Sequence, residues 1–423
     1  MSESTSPKVN THDSKSFPSA NSKGMTETSQ NSSYQQTAVT PDFDSTTVPE
    51  NFNERCSISI VMPTYNRADS MAEVVRKTYQ VSVGFDVEWI IIDDGSTDNT
   101  PAVLAQLKQE IPKLKFKSVE NRGPGLARNM GASLARNQVI LFIGDDILPT
   151  NEDFLRPHAE MHASFPASSF AVLGKALWPD NKTLDVGTVM RHIQGHGGEQ
   201  FGYADFPAYA ALDYRFFYTC NVSVKRDIVS DWLRDGFSSE FAVASWEDIE
   251  FAYRITKKLG EFKILYVPSS TGYHLHSYSV NSFVRRQSSA GAMAHVMSAI
   301  HPELGPIVRV DDIYEALNSP LSADSDDATA DYLAVIEGLK AWARIMERER
   351  RLGNEAWHDD LLFIIFEVSY LQGYITAAAK GGANFAKAYS QVIIKVRSRL
   401  ARILDSEVCH DEAFKARLLP VIQ

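Results

Sequence analysis

The chain has 423 residues, of which 44% are hydrophobic and 22% are charged. That is enough apolar sequence for two or three domains with buried cores. The formal net charge of −11 argues against a nucleic-acid partner, because contact with phosphate backbones requires a basic surface. The three cysteines, Cys56, Cys220 and Cys409, are far apart in the chain, which predicts free thiols in a reducing compartment.

The N-terminal segment, residues 1–54, is rich in Ser, Thr, Asn and Gln and poor in large aliphatic side chains. Such a segment buries too little apolar surface to offset the entropy lost on ordering, so we predict that it is disordered. Its first residues, MSESTSPKVNTHDSK, contain no apolar core of a secretory signal. This predicts a cytoplasmic protein.

From Ser57 onward, short β-rich runs alternate with helical stretches. The predicted strands and helices, in chain order, are Ile58–Met62, Ala68–Val81, Val87–Ile92, Thr100–Glu110, Phe116–Val119, Leu126–Ala135 and Val139–Ile143. Alternation at this spacing predicts a parallel α/β sheet, with ligands bound beyond the carboxyl ends of the strands. Later strand-like runs are Phe170–Leu173, Phe217–Val224 and Phe262–Val267, and a helix is predicted to begin near Trp246.

Beyond residue 305 the sequence loses its β-rich runs. Helical periodicity covers 331–351, 359–379 and 384–404, after a polar linker at 317–330. We therefore predict a domain at 55–305 and a helical C-terminal domain at 306–423. The most apolar stretch, 361–379, is interrupted by Glu367 and Gln372, which favours a buried helix over a membrane span.

Three polar clusters follow three of the predicted strands. They are PTYN at 63–66, DDGS at 93–96 and GDD at 144–146. Because the carboxyl ends of parallel strands meet at one sheet edge, these clusters are predicted to form a single site. Asp145 and Asp146 could hold a hard divalent cation against a diphosphate, although two aspartates can also simply form a turn.

Asp93 and Asp94 allow the same two interpretations. A carboxylate can accept hydrogen bonds from a base edge or a ribose. A turn in which Ser96, Thr97 or Asp98 caps the next helix explains the same residues. The turn does not explain Asp93 at the end of so apolar a strand, since a buried carboxylate needs partners.

Two arginines, Arg122 and Arg128, surround a glycine-rich turn at the predicted start of a helix. Backbone N–H groups, a helix N-terminus and guanidinium groups together favour an anion such as a diphosphate. The segment is not a dinucleotide-binding fingerprint, because Arg128 stands where a third glycine is required.

Two later motifs are open to a structural or a chemical interpretation. Ser245 and Asp248 have the spacing of a helix capping box, and spacing alone favours that interpretation over a general base at Asp248. His274 and His276 alternate on an extended segment, so both imidazoles could face one metal ion or phosphate. Single histidines are more often structural.

Taken in order, the motifs over roughly residues 57–290 resemble those of the family 2 glycosyltransferases, which have the GT-A fold. The resemblance implies a donor pocket formed by Pro63, Tyr65, Asn66, Asp93, Asp94, Arg122, Arg128 and Asp145. It implies an acceptor side formed by Asn221, Trp246 and Glu247. It implies a divalent metal, Mn²⁺ or Mg²⁺, held by Asp146, His274 and His276. The catalytic base implied by the ED motif is Asp248.

The fold class implied is α/β, a GT-A-type nucleotide-binding sheet with a helical C-terminal domain and a disordered N-terminal segment. The function implied is transfer of a sugar from a nucleotide-diphosphate donor to an acceptor hydroxyl with inversion, in glycan, polysaccharide or glycolipid biosynthesis. Gly144 departs from the family pattern, because it stands at the first position of the metal-binding DxD motif. This supports the alternative of a catalytically degenerate protein that only binds a nucleotide or glycan. The C-terminal helices could pack on the catalytic domain, touch a membrane surface or form a homo-oligomer.

Overall fold

The computed structural model describes residues 56–179, 187–194, 200, 202–203, 206–232, 236–320, 325–349, 352, 356–378 and 384–405. The segment 1–54, which was predicted to be disordered, and Cys409 lie outside these residues.

The centre of the fold is a parallel sheet. Its strands are β1 (Ile58–Thr64), β2 (Val87–Asp93), β3 (Leu114–Ser118) and β4 (Val139–Ile143), joined by the helices α1 (Ala68–Val81), α2 (Thr100–Glu110) and α3 (Pro124–Leu134). The spatial order of the strands is β3-β2-β1-β4. Every residue of β2 and β4 is buried, as expected for strands covered on both faces. These seven elements confirm the predicted α/β fold.

Five further strands extend the sheet beyond β4. They are β5 (Ile147–Pro149), β6 (Phe170–Leu177), β7 (Ala211–Leu212), β8 (Asn221–Lys225) and β9 (Lys263–His274). Strand β8 is antiparallel to both β4 and β6, whereas β6 and β9 are parallel, so this half of the sheet is mixed. Because β8 runs in the opposite direction, its first residue, Asn221, pairs with Ile143 at the end of β4. The residues just before β8 therefore lie at the carboxyl edge of the parallel strands.

The predicted bounds of two strands were wrong. The run Phe217–Val224 becomes a strand only at Asn221, because the 3-10 turn Tyr214–Phe216 precedes it. Strand β9 does not end at Val267 but continues to His274, beyond Pro268. The register between β6 and β9 shifts in this region, and such a bulge accommodates a proline that cannot donate to the ladder.

The remaining helices surround the second half of the sheet and form the C-terminal region. They are α4 (Arg156–Ser164), α5 (Thr188–Gln194), α6 (Arg226–Trp232), α7 (Glu247–Leu259), α8 (Val280–Ile300), α9 (Gly305–Val308), α10 (Asp311–Leu317), α11 (Ser325–Arg348), α12 (Ala356–Ala378) and α13 (Phe385–Asp405). The long helices α11, α12 and α13 confirm the predicted helical end of the chain. Helix α8 was not predicted.

Helices α8 and α12 cross with their backbones in close approach. A Cβ atom at Gly291 of α8 would collide with the carbonyl oxygen of Tyr370 in α12, and one at Gly373 of α12 would collide with that of Ser288 in α8. Each helix thus contributes a glycine against the backbone of the other. One continuous cluster of buried apolar side chains connects the sheet to these helices. The predicted domain boundary at 305/306 stays a prediction.

Within the described residues, the stretch Trp357–Ala378 of α12 has the length and apolar character of a membrane-crossing helix. In its most apolar window, 67% lies buried inside the protein. That is the environment predicted from the polar interruptions in its sequence.

Candidate functional site

The three polar clusters meet at the carboxyl edge of the parallel strands, as their positions in the sequence predict. The Thr64 hydroxyl donates a hydrogen bond to Asp145 Oδ2 at 2.7 Å, which connects the end of β1 to the loop after β4. The Asn66 backbone N–H donates to Ser96 Oγ at 2.8 Å, and Asn66 Oδ1 accepts from the Thr97 N–H at 2.8 Å. The loop after β1 is therefore bonded to both of the other clusters.

Asp93 and Asp94 are both buried, with exposures of 1% and 4%. Asp93 Oδ1 accepts from the Ser96 backbone N–H at 2.9 Å, so it holds the expected turn. The expected cap is wrong, because the capping position of α2 is Asn99 rather than Ser96, Thr97 or Asp98. The two carboxylate oxygens of Asp94 accept from the backbone N–H groups of Arg122 and Gly123, each at 3.0 Å. Asp94 thereby fixes the glycine-rich turn before α3 at the sheet edge.

On the opposite side of β1, Asp146 is surrounded by positive or proton-donating groups. Its Oδ2 lies 3.3 Å from His274 Nε2 and 3.8 Å from Arg67 Nη2. Arg67 Nη1 lies 3.1 Å from His276 Nδ1. Burial opposes the charged form of Asp146, but the charge and hydrogen bond of His274, together with Arg67, hold its pKa below the usual range. Burial and the neighbouring charge of Asp146 raise the pKa of Asp145 to about 7.

Arg67 is a site residue that the sequence reasoning did not identify. It directly follows the PTYN segment and precedes α1. One signal could have identified it: Arg67 is a long cationic side chain next to a sheet edge that was predicted to be rich in carboxylates and to bind an anion.

The donor atoms at Asp146 and His274 fit a divalent cation that shares its coordination with a substrate. Among the described residues, no group of three or more His, Cys, Asp or Glu side chains could hold a metal ion by itself. A closed structural zinc site needs four protein ligands, and these residues do not supply them. Mg²⁺ and similar ions are commonly held by one or two protein ligands together with substrate phosphates and water. The residues fit that second arrangement.

Asp248 is the second residue of α7. The helix begins at Glu247, and the capping position is Trp246, whose side chain makes no capping bond. The capping-box interpretation of Ser245 and Asp248 is therefore wrong, because Ser245 precedes the cap. Asp248 Oδ1 accepts from the Ile249 N–H at 2.9 Å, and Oδ2 accepts from the Thr219 N–H at 3.4 Å. Burial raises the pKa of Asp248, against the opposing charge of Arg128.

Cys220 connects the aspartate pair after β4 to the start of α7. Its carbonyl oxygen accepts from the Gly144 N–H at 3.0 Å. Burial raises the pKa of its thiol to about 12, and the charges of Asp248 and Asp146 act on the thiol in the same direction. The preceding residue, Thr219, donates its N–H to Asp248 Oδ2 at 3.4 Å. The segment just before the antiparallel β8 therefore contacts both the loop that carries Asp146 and the start of α7.

Arg128 and Glu247 form an ion pair inside this site. Arg128 Nη1 lies 2.9 Å from Glu247 Oε1, and the side chains are only 8% and 3% exposed. Burial and the charge of Asp248 raise the pKa of Glu247 to about 7, although Arg128 opposes this. Arg128 is therefore engaged with α7, whereas Arg122 remains exposed at the rim.

Two residues predicted for the acceptor side are engaged with the protein interior. Asn221 is fully buried, and its amide donates to the Ser270 carbonyl at 3.0 Å and lies 3.1 Å from His158 Nε2. Its side chain is therefore unavailable to an acceptor. Trp246 Nε1 donates to the Ala290 carbonyl of α8 at 3.2 Å.

In the predicted donor pocket Pro63 is half-buried, while Tyr65 is 46% exposed and open to a ligand.

Comparison with known proteins bears on the same part of the chain. Residues 59–175 match the family model described as glycosyl transferase family 2. Over these residues the chain is similar to the family 2 glycosyltransferases. This match includes all three polar clusters and the glycine-rich turn, and it ends before Cys220 and α7. The resemblance predicted from the motifs is confirmed over residues 59–175.

Relatives of this chain differ in how much of their length is shared. An uncharacterized glycosyltransferase of Haemophilus influenzae is 27% identical over 256 residues, which cover 54% of this chain and 97% of that protein. Validoxylamine A glucosyltransferase of Streptomyces hygroscopicus subsp. jinggangensis is 28% identical over 222 residues, 47% of this chain and 51% of the relative. The minor teichoic acid biosynthesis protein GgaA of Bacillus subtilis is 36% identical over 93 residues, 21% of each chain. This chain thus spans about half or less of these last two relatives.

A solved structure was also found among the matches. It is a mannosyltransferase from Pyrobaculum calidifontis in complex with GDP-Man and Mn²⁺. It is 15% identical and superposes with a TM-score of 0.42 over 87% of this chain and 86% of that chain.

Proposed function

We propose that this protein is an inverting glycosyltransferase that moves a sugar from a nucleotide-diphosphate donor to an acceptor hydroxyl. We place it in the biosynthesis of a glycan, polysaccharide or glycolipid. The observation that supports this most directly is that two consecutive residues, Thr219 and Cys220, bond to Asp248 and to the loop that carries Asp146, through the Thr219 N–H at 3.4 Å and the Cys220 carbonyl at 3.0 Å. A single displacement needs one group for the leaving diphosphate and another for the attacking hydroxyl, and these two carboxylates meet that need.

Asp248 is proposed as the general base. It takes the proton of the acceptor hydroxyl as that oxygen bonds to the anomeric carbon. The bond from this carbon to the diphosphate oxygen breaks on the opposite face, which inverts the configuration. Burial raises the pKa of Asp248 and so makes it a better proton acceptor than an exposed aspartate. General-base assistance typically contributes a factor of about 10² to 10⁴.

Asp146 and His274 are proposed to hold a divalent cation, Mn²⁺ or Mg²⁺. Such an ion, when bound, offsets the negative charge that develops on a leaving diphosphate. Arg67 supplies a second positive charge at the same place, since its guanidinium lies 3.8 Å from the Asp146 carboxylate. Guanidinium groups bind phosphate oxygens through charge-assisted hydrogen bonds. We therefore include Arg67 in the donor site.

The nucleoside is proposed to bind over the loops after β1 and β2. The exposed ring of Tyr65 can contact a base, and Asn66 and the DDGS turn lie next to it.

The two cysteines that the structure describes, Cys56 and Cys220, are free, which supports a reducing compartment such as the cytoplasm. Contact of the C-terminal helices with a membrane or a second copy stays a prediction.

A thermal-shift screen tests the proposal. UDP, GDP, dTDP and CDP are each added with and without Mn²⁺, and the corresponding nucleotide sugars are then tested for hydrolysis without an acceptor. We expect one nucleotide to raise the melting temperature only when Mn²⁺ is present. Stabilisation without any hydrolysis would support the alternative of a degenerate binding protein. No stabilisation by any of the four would contradict a nucleotide-sugar transferase.

A further inference from the structure

Trp246 has an unusual backbone conformation directly before the proposed base. Its φ angle is +67°, in the left-handed region that a bulky side chain rarely adopts. Helix α7 begins at the next residue, and Asp248 follows. The conformation of Trp246 therefore sets the direction in which the first turn of α7 leaves the preceding loop. Strained residues of this kind persist only where their surroundings hold them in place.

The surroundings of the Trp246 indole come from the C-terminal side of the chain. Its Nε1 donates a hydrogen bond to the Ala290 carbonyl of α8 at 3.2 Å. In α12, burial raises the pKa of the Tyr370 hydroxyl, and the neighbouring Trp246 indole opposes that rise. The Tyr370 hydroxyl itself donates to the Val308 carbonyl at 3.0 Å.

This anchoring point coincides with the closest approach of the two helices. Gly291, the residue after Ala290, packs against the Tyr370 carbonyl so tightly that no Cβ atom fits. Backbones in such contact cannot shift relative to each other without separating, because protein interiors are close-packed. The indole is therefore anchored to a rigid part of the molecule.

The other contacts of the first turn of α7 hold the Asp248 carboxylate only weakly, so its direction depends on a further attachment of this turn. The bond from the Thr219 N–H to the Asp248 carboxylate is long, at 3.4 Å, and the bond from Ile249 lies within the same turn. Glu247 is fixed on one side by its ion pair with Arg128. Trp246 supplies the opposing attachment, to α8 at the point where that helix packs against α12.

We propose that Trp246 is a positioning residue, which fixes the direction of the Asp248 carboxylate through its attachment to the crossing of α8 and α12. The proposal rests on the proposed function, because it requires Asp248 to act as the base. It makes two helices outside residues 59–175, the part that matches the family model, contributors to transfer. A small misalignment of a reacting group can cost up to about 10²-fold in rate.

The test compares four single variants with the wild type. Trp246→Phe keeps an aromatic ring but removes the N–H donor, and Trp246→Asn tolerates the left-handed conformation but removes the whole attachment. Tyr370→Phe removes only the hydroxyl. Trp342→Phe is the matched control, since this indole lies in α11 and stacks on Trp357 with ring centroids 5.8 Å apart.

The measured quantities are kcat and KM for hydrolysis of the nucleotide sugar whose diphosphate gives the largest thermal shift, together with Tm. We expect Trp246→Phe and Trp246→Asn to lower kcat at least about tenfold, with KM and nucleotide-dependent stabilisation unchanged. Tyr370→Phe should lower kcat less, and Trp342→Phe should leave it unchanged.

Three outcomes would overturn the proposal, and they are distinguishable. A wild-type kcat in Trp246→Phe and Trp246→Asn would show that the anchor does not position the base. A loss of kcat that is matched by a loss of nucleotide binding or of Tm would assign Trp246 a role in folding alone. If the wild type neither binds a nucleoside diphosphate nor hydrolyses a nucleotide sugar, the proposed function itself fails, and this inference with it.

Discussion

The side chains of Asp146 and His274 meet at 3.3 Å, between carboxylate Oδ2 and imidazole Nε2. The contact depends on the short antiparallel pairing of β5 with the end of β9, in which Ile147 lies opposite His274. Strand β5 has only three residues, but its pairing with β9 brings the loop after β4 to His274. The pairing places His274, rather than His276, against Asp146. His276 lies beside Arg67.

Replacing His274 by Ala should weaken Mn²⁺-dependent nucleotide binding. The imidazole is one of two protein donors proposed for the cation, so we expect the Mn²⁺ concentration for half-maximal thermal stabilisation by the nucleoside diphosphate to rise at least about tenfold. His301→Ala is the control, because the His301 imidazole lies beside Glu250, 3.0 Å from its Oε1, rather than beside Asp146 or Arg67. An equal effect of the two substitutions would argue against His274 as a specific ligand.

Asp248→Asn should abolish most of the turnover and leave donor binding intact. The amide keeps the size of the carboxylate but cannot accept a proton, so we expect kcat to fall by about 10²- to 10⁴-fold. Thermal stabilisation by the nucleoside diphosphate should match that of the wild type. Glu240→Gln, at an exposed position, serves as the matched control. Substantial residual turnover in Asp248→Asn would mean that another group removes the acceptor proton.

Acid should destabilise the fold below about pH 6.5, through the buried His158. Burial lowers the pKa of this imidazole from 6.5 to about 4. Between these values the unfolded chain binds a proton that the folded protein does not, so stability is fully present above pH 6.5 and falls as the pH falls toward 4. The shift corresponds to ~3 kcal/mol at most. Urea unfolding at pH 7.5 and pH 5 measures the loss.

The matched variant for this pH effect is His158→Gln. It should be less stable than the wild type at pH 7.5, because the imidazole is hydrogen-bonded to Ser223 Oγ at 2.8 Å and lies 3.1 Å from Asn221 Oδ1. Its stability should nevertheless depend less on pH between 7.5 and 5. His162, also buried with a lowered pKa, is expected to keep part of the dependence in both proteins. An unchanged slope in the variant would assign the acid sensitivity to other groups.

Gly291→Ala should destabilise the protein although alanine is the better helix former. The added methyl group would meet the Tyr370 carbonyl, so α8 and α12 must separate. Overpacking of this kind typically costs about 1–3 kcal/mol, which exceeds the gain of about 1 kcal/mol in helix propensity. Ser289→Ala, on the exposed side of the same helix, should be neutral or slightly stabilising. Equal urea midpoints for the two variants would contradict the close crossing.

The first half of the fold could be predicted because its signals are local. Continuous apolar runs such as Val139–Ile143 identified the buried strands, and the polar residues after them identified the site edge. The contacts between Thr64 and Asp145, and between Asn66 and the loop after β2, follow from that arrangement.

Helix α8 escaped prediction because its sequence serves tertiary packing rather than helix propensity. The segment SSAGAMA at 288–294 contains serines and a glycine that are poor helix formers. In the structure Gly291 is required by the approach of α12, because a Cβ atom there would collide with the Tyr370 carbonyl. The direction of β8 was equally hidden, because strand periodicity carries no information on which neighbour a strand pairs with.

The site residues also divide into those that the local sequence indicates and those that only the tertiary contacts reveal. Asp146, Asp248 and His274 were identifiable by motif, whereas Arg67 became visible only through its distance to Asp146. Asn221 had the right position in the sequence but points into the buried network around His158. The alternation of polar and apolar residues separates the two faces of β8, but the local sequence does not indicate which face borders the site.

Side chains along β8 alternate between the two faces of the sheet. The number of residues in this strand is therefore more critical for the fold than the identity of any one of them. Asn221 and Ser223 share the face that contacts His158, and Val222 and Val224 lie between them. A single-residue deletion in 221–224 would exchange the two faces, placing valines against the histidine and polar side chains in the apolar layer. It would also draw Cys220 away from the carboxyl edge of the parallel strands, where its carbonyl accepts from the Gly144 N–H. This short strand is therefore a place where insertions and deletions should be far less tolerated than substitutions.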